Sequence, residues 1–121
     1  MKLELGKYTE ITNFAKEVNP ALFKNYVKVW VCPDVENVWL ATLTADTNSE
    51  YENCPGTFLL ERDNVSYPDY DRCRPEYLTE DNIREIVEDW ACETYDSYET
   101  GSVKEATDQI DGGWGIIPEG E

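Results

Sequence analysis

The longest regular pattern of hydrophobic and polar positions runs from Leu78 to Thr100. Apolar residues recur there with the 3.6-residue period of an α-helix, so we predict one amphipathic helix. Its buried side is expected to hold Ile83, Ile86, Val87, Trp90 and Thr94. Thr79 is the expected N-cap, because its hydroxyl can accept a hydrogen bond from an orphan backbone N–H group.

The other side of this predicted helix is dense in carboxylates. It holds Asp81, Glu85, Glu88, Asp89, Glu93 and Asp96. Like charges four residues apart, such as Glu85 and Asp89, destabilise a helix by about 0.2–0.5 kcal/mol per pair. Arg84 is the one basic residue within this stretch. A helix that only needed solubility would intersperse lysines, so the pattern indicates a binding surface.

Shorter patterns predict the elements before this helix. Thr9 to Val18 has helical spacing and ends at Pro20, because the residue before a proline is pushed out of the helical region. Tyr26 to Cys32 and Asn37 to Ala45 alternate and are rich in β-branched and aromatic residues, which is typical of a β-hairpin. Simple alternation places three valines on one face of the first strand, namely Val27, Val29 and Val31.

A third strand is predicted from Thr57 to Arg62, followed by a loop from Asp63 to Tyr77. After the acidic helix, Ser102 and Glu105 have the spacing of a capping box, so a short helix should run to about Ile110. Trp114 to Ile117 is a possible edge strand. Strands followed by helices indicate an α+β fold: a single domain, residues 1–121, with an antiparallel sheet of three to four strands and helices packed on one face.

The net charge of the chain indicates which classes of binding partner it favours. The formal net charge is −16, far beyond the magnitude of about 2–8 that keeps a small domain soluble. It is concentrated in residues 61–121, which carry −13 against −3 for residues 1–60. This balance argues against direct binding of nucleic acid or of an anionic membrane, and favours a basic protein surface or cations. Solubility, or adaptation to high salt, is the simpler alternative.

The chemistry expected of an enzyme is missing from the sequence. There is no histidine, the commonest general base and metal ligand, and no P-loop, GxGxxG, HExxH or GxSxG motif. The cysteines at positions 32, 54, 73 and 92 include no close pair, so we expect free thiols and no zinc site. We therefore expect no enzymatic activity, no cofactor and no bound metal.

Tyrosines accompany the acids, and tyrosine is favoured at protein interfaces because it combines apolar area with a polar tip. The predicted partner-binding set therefore adds Tyr95, Tyr98 and the loop residues Asp69, Tyr70 and Asp71 to the six carboxylates of the helix. Ordinary core packing is the alternative for the tyrosines, and a solvated loop or a divalent cation site for the two loop aspartates.

In composition the chain is similar to small phage and mobile-element anti-restriction and anti-CRISPR proteins, which are short, strongly acidic, tyrosine-bearing α+β domains. This similarity rests on no motif and implies no residue correspondence. It implies an inhibitor that mimics nucleic-acid phosphates and blocks a basic DNA- or RNA-binding protein, such as a bacterial defence nuclease. An immunity protein that neutralises a basic toxin and a small-molecule-binding domain are the alternatives. Because no apolar segment typical of a signal peptide is visible, we expect the cytoplasm of a bacterial host cell; the oligomeric state is left open.

Overall fold

The centre of the fold is an antiparallel hairpin, as the alternating sequence predicts. The computed structural model describes residues 3–34, 38–45, 58–65, 78–90 and 94–110, with the backbone alone for 94–99. In the hairpin, Val31 is the register partner of Leu40, and Trp30 is the partner of Ala41. Because paired residues of antiparallel strands share a face, the hairpin has two apolar faces, which we call the Val31 face and the Trp30 face.

The described elements form a meander of strands with four helices between or after them. In chain order they are β1 (Thr9–Glu10), α1 (Thr12–Val18), α2 (Pro20–Phe23), β2 (Tyr26–Pro33), β3 (Val38–Ala45), β4 (Phe58–Val65), α3 (Glu80–Glu88), β5 (Thr94–Thr100) and α4 (Val103–Gln109). The strands lie in the order β1-β2-β3-β4-β5, and every neighbouring pair is antiparallel. Four strands of seven or eight residues make the sheet, and β1 adds two residues at one edge. The predicted α+β class is confirmed.

The larger core lies on the Val31 face, under α1, α2 and α3. Each helix turns its apolar side toward the sheet, so that buried side chains from all three meet those of β2 and β3. The buried residues of this core are Ile11, Ala15, Phe23, Val29, Val31, Val38, Leu40, Leu78, Ile83, Ile86, Val87 and Trp90. These three helices therefore pack on one face, where the sequence predicts all of the helices; α4 departs from that prediction, because its apolar residues pack on the other face.

A second, smaller core lies on the Trp30 face. Here α4 contributes Ala106 and the residue after its last turn, Ile110, against Trp30, Leu43 and Leu60. The fourth helix is thus on the side of the sheet opposite the other three, and the central hairpin is covered on both faces. This double cover explains why both faces of the hairpin are apolar in the sequence.

Two details of the strands differ from the simple alternating pattern. The register between β2 and β3 shifts between Tyr26 and Lys28, so Val27 packs with the core of the Trp30 face, away from Val29 and Val31. A β-bulge inserts one residue and reverses the alternation beyond it, which is why the prediction that the three valines share a face is wrong. In addition, β4 continues to Val65, so Asp63 lies in a strand and not in the predicted loop.

The helix ends follow the predicted signals. Thr79 accepts a hydrogen bond from the backbone N–H of Asn82 at 3.3 Å, as an N-cap should. Ser102 does the same for Glu105 at 3.0 Å. The carboxylate of Glu105 in turn accepts the N–H of Gly101 at 3.0 Å, one residue before the position that a standard capping box uses. The possible edge strand from Trp114 to Ile117 lies outside the described residues.

Candidate functional site: the acidic face of helix α3

Helix α3 is fixed to the sheet by one apolar side. Ile83, Ile86 and Val87 are buried in the core of the Val31 face, and Trp90, just after the helix, is 8% exposed. The Trp90 ring stacks on Phe23 with a centroid distance of 5.1 Å. Because these buried residues hold one side of α3 against the core, the opposite side of α3 faces solvent.

That opposite side carries four exposed carboxylates, which we call the acidic face: Asp81, Glu85, Glu88 and Asp89. Among the described residues, none of the four lies within 4.0 Å of a basic nitrogen. Helix α4 contrasts with this arrangement, because its Lys104 pairs with Asp108 at 3.0 Å. The acidic face is therefore a row of exposed charges that no described basic side chain neutralises.

The position of these acids opposes the electrostatics of the helix. Asp81 lies in the first turn, where a negative charge suits the positive end of the helix dipole, but Glu88 and Asp89 lie at the negative end. Asp81 with Glu85, and Glu85 with Asp89, are like-charge pairs four residues apart, each destabilising by about 0.2–0.5 kcal/mol. The arrangement thus costs helix stability without a compensating contact among the described residues.

Arg84, the basic residue of α3, does not neutralise the acidic face. Its guanidinium carbon lies 5.3 Å from the centroid of the Phe14 ring on α1, a distance typical of a cation–π contact. This contact directs the side chain toward the α1–α3 seam. The sequence shows Arg84 as the local counter-charge, whereas the structure gives it a packing role.

The structure corrects the extent of the acidic helix. The predicted single helix from Leu78 to Thr100 is wrong: α3 ends at Glu88, Asp89 is its C-cap, and β5 begins at Thr94. The predicted site residues Tyr95, Asp96 and Tyr98 therefore belong to a strand. Asp96 is the register partner of Arg62, and Tyr98 is the partner of Leu60.

Two physical reasons account for the change from helix to strand. The stretch from Thr94 to Thr100 is rich in threonine and tyrosine, which favour the extended backbone. Pairing with β4 also satisfies the backbone groups of β5 along its inner side. In a longer helix, further acids would have joined the negative end of the dipole, so the helical alternative was the less favourable one.

Four other predicted site residues lie outside the described residues. They are Glu93, Asp69, Tyr70 and Asp71. The structure thus brings together four of the eleven predicted residues, all on α3, and separates three others from them onto β5.

A buried polar cluster on the Trp30 face escaped the sequence analysis. The Arg62 guanidinium carbon lies 4.7 Å from the centroid of the Trp39 ring, and Trp39 Nε1 donates a hydrogen bond to Asp34 at 3.2 Å. Burial, reinforced by the Asp34 carboxylate, raises the pKa of the Cys32 thiol to about 12. Burial also raises the pKa of the Tyr8 hydroxyl.

This cluster is a structural feature rather than a reactive one. A thiol whose pKa is raised is protonated at neutral pH, and the thiolate is the nucleophilic form. Arg62 and Trp39 form a cation–π contact, as Arg84 and Phe14 do. The Arg62 contact is buried, whereas the Arg84 side chain is exposed. No apolar periodicity in β4 marks Arg62 as buried, so the sequence offered no signal for the cluster.

Among the described residues, no group of three or more carboxylate or cysteine side chains is arranged to hold a metal ion. None of the described helices is long and apolar enough to cross a bilayer. No protein-family model matches the chain, and comparisons with curated proteins and with solved structures found no match either.

Proposed function

We propose that this chain is an acidic protein inhibitor that mimics nucleic-acid phosphates and blocks a basic DNA- or RNA-binding protein, such as a bacterial defence nuclease of the restriction or CRISPR type. The observation that carries the proposal is the acidic face of α3: four exposed carboxylates that no described cation pairs, two of them at the helix end that disfavours negative charge. These carboxylates lower the stability of the helix and make no ion pair with a described residue. A partner protein that binds them would explain their presence.

The length of the acidic face determines how many nucleic-acid phosphates it could imitate. Eight residue steps from Asp81 to Asp89 span about 12 Å at about 1.5 Å per residue. One strand of a duplex carries a phosphate about every 3.4 Å along the helix axis, so the face corresponds in length to roughly three or four of them. The helix alone therefore replaces a short piece of backbone, and the inhibitor would act by occupying a basic groove, without catalysis or cofactor.

The same dimensions also favour a second candidate function. A charged row of about 12 Å fits a compact basic patch as well as a long groove, so an immunity protein that neutralises a basic toxin shares the electrostatics. The two functions differ in competition with nucleic acid. A phosphate mimic excludes DNA or RNA from its target, whereas neutralisation of a toxin at another surface leaves nucleic-acid binding intact.

A pair of charge-matched variants tests the role of the acidic face. E85Q/E88Q/D89N removes three negative charges from α3, and E4Q/E17Q/D108N removes three exposed acids from elsewhere on the described surface. Both variants move the net charge from −16 to −13. Two of the control acids, Glu4 and Asp108, are ion-paired with lysines, so any difference between the variants reports the position and pairing of the charges and not their number.

The measurement is association with a panel of purified restriction nucleases, CRISPR effectors and basic toxins, followed by surface plasmon resonance at several salt concentrations. With a binding partner, we expect the α3 variant to associate about tenfold more slowly and with a weaker salt dependence, because electrostatic steering acts mainly on the association rate. The E4Q/E17Q/D108N variant should stay close to wild type. Equal rates for both variants would show that the acidic face is only solvated.

Displacement of fluorescent duplex DNA or RNA from the same partner then separates the two functions. Displacement by the wild-type protein supports mimicry, and binding without displacement supports the toxin-neutralising alternative. A defence nuclease acts in the bacterial cytoplasm, so the proposal also places this chain in that compartment.

A further inference from the structure

We draw no further inference here: the strongest candidate, strand β5 at the edge of the described sheet, carries nothing because nothing in the structure shows what covers the backbone groups along its outer side.

Discussion

At the scale of single residues, Trp90 ties the acidic helix to the rest of the molecule. Its ring stacks on Phe23 and meets Tyr26 edge-on at 6.1 Å, so one side chain joins the end of α3 to α2 and β2. The indole Nε1 is buried and has no hydrogen-bond partner among the described residues. The contribution of Trp90 should therefore come from its apolar area and not from its polar atom.

Two substitutions separate these contributions. Trp90→Ala should lower the free energy of unfolding by about 3–5 kcal/mol, the usual effect of removing a large buried aromatic side chain. Trp90→Phe keeps most of the ring contact and removes a buried donor whose desolvation costs about 1–3 kcal/mol, so its effect should be less than half as large. Urea denaturation of both variants measures this. Equal destabilisation by the two substitutions would mean that the indole N–H donates a hydrogen bond that contributes to stability.

The buried thiol of Cys32 makes a second residue-scale prediction. Its pKa is about 12 in the folded chain and about 8.5 in an unfolded one. A raised pKa means that the folded state holds the proton more tightly, so the stabilisation is complete below about pH 8.5 and is lost as the pH rises toward 12. Between pH 7.5 and 10 this loss should be about 2 kcal/mol.

Comparison with Cys32→Ala isolates that loss. The variant lacks the thiol, so its free energy of unfolding, measured with urea under reducing conditions, should fall less than that of the wild type over the same pH range. Iodoacetamide at pH 8 should leave Cys32 unlabelled until urea is added, because the folded thiol is protonated and buried. Parallel pH profiles for the two proteins would contradict the raised pKa.

At the scale of elements, local signals in the sequence were sufficient wherever a helix or strand is determined by its own residues. The hairpin of β2 and β3, the end of α1 at Asn19 and the caps Thr79 and Ser102 all follow from nearby residues. The boundary of α3 does not. No glycine or proline lies between Leu78 and Thr100, and what ends the helical region is the pairing of β5 with a distant strand.

The same limit applies to the candidate site. Asp81, Glu85, Glu88 and Asp89 are exposed on one helix, as their spacing predicts. Asp96 continues that spacing in the sequence but lies on β5 in the structure. Periodicity predicts which face of a helix or strand a residue occupies. It contains no information on how that segment pairs with a strand some thirty positions away in the sequence. The bulge that moves Val27 to the other face is invisible for the same reason.

The acidic end of α3 gives an element-scale prediction. E88Q/D89N removes two negative charges from the negative end of the helix dipole, where each costs about 0.3–1 kcal/mol. We expect the free energy of unfolding to rise by about 1 kcal/mol and the melting temperature by about 4 °C. Thermal denaturation followed by circular dichroism checks this.

Asp81→Asn is the matched control, because it removes a charge from the favourable end of the same helix. It should leave stability level or lower it slightly, since the lost dipole interaction is partly offset by relief from Glu85. Asp81→Asn removes one charge and E88Q/D89N removes two, so stabilisation by Asp81→Asn to about half the degree of E88Q/D89N would mean that total charge, and not position along α3, governs stability.

At the scale of the whole molecule, the excess of negative charge dominates. Ion pairs among the described residues include Lys7 with Glu4, Lys28 with Glu10, and Lys104 with Asp108. Exposed pairs of this kind contribute at most about 1 kcal/mol each, which is small beside the self-repulsion expected of a chain with net charge −16.

Moderate salt should therefore stabilise the fold. Raising NaCl from about 10 mM to 150 mM shortens the screening length from about 30 Å to about 8 Å, which weakens repulsion between carboxylates on different elements. We expect the melting temperature to rise by several degrees. The rise should be smaller in E85Q/E88Q/D89N, where less repulsion is left to screen. A melting temperature that falls or stays flat in the wild type would show that its carboxylates are not crowded.

The order of the strands also affects how the protein is made. Each strand of the sheet neighbours the strand synthesised just before it, so pairing can proceed on the ribosome as each strand leaves the exit tunnel. Helix α4, which covers Trp30, Leu43 and Leu60, is among the last described elements to emerge. The stretch from Val65 to Gln109 takes several seconds to translate at about 5–20 residues per second. During those seconds the Trp30 face of the nascent sheet is not yet covered by α4. We therefore expect a chaperone that binds exposed apolar surface to bind the nascent chain on this face.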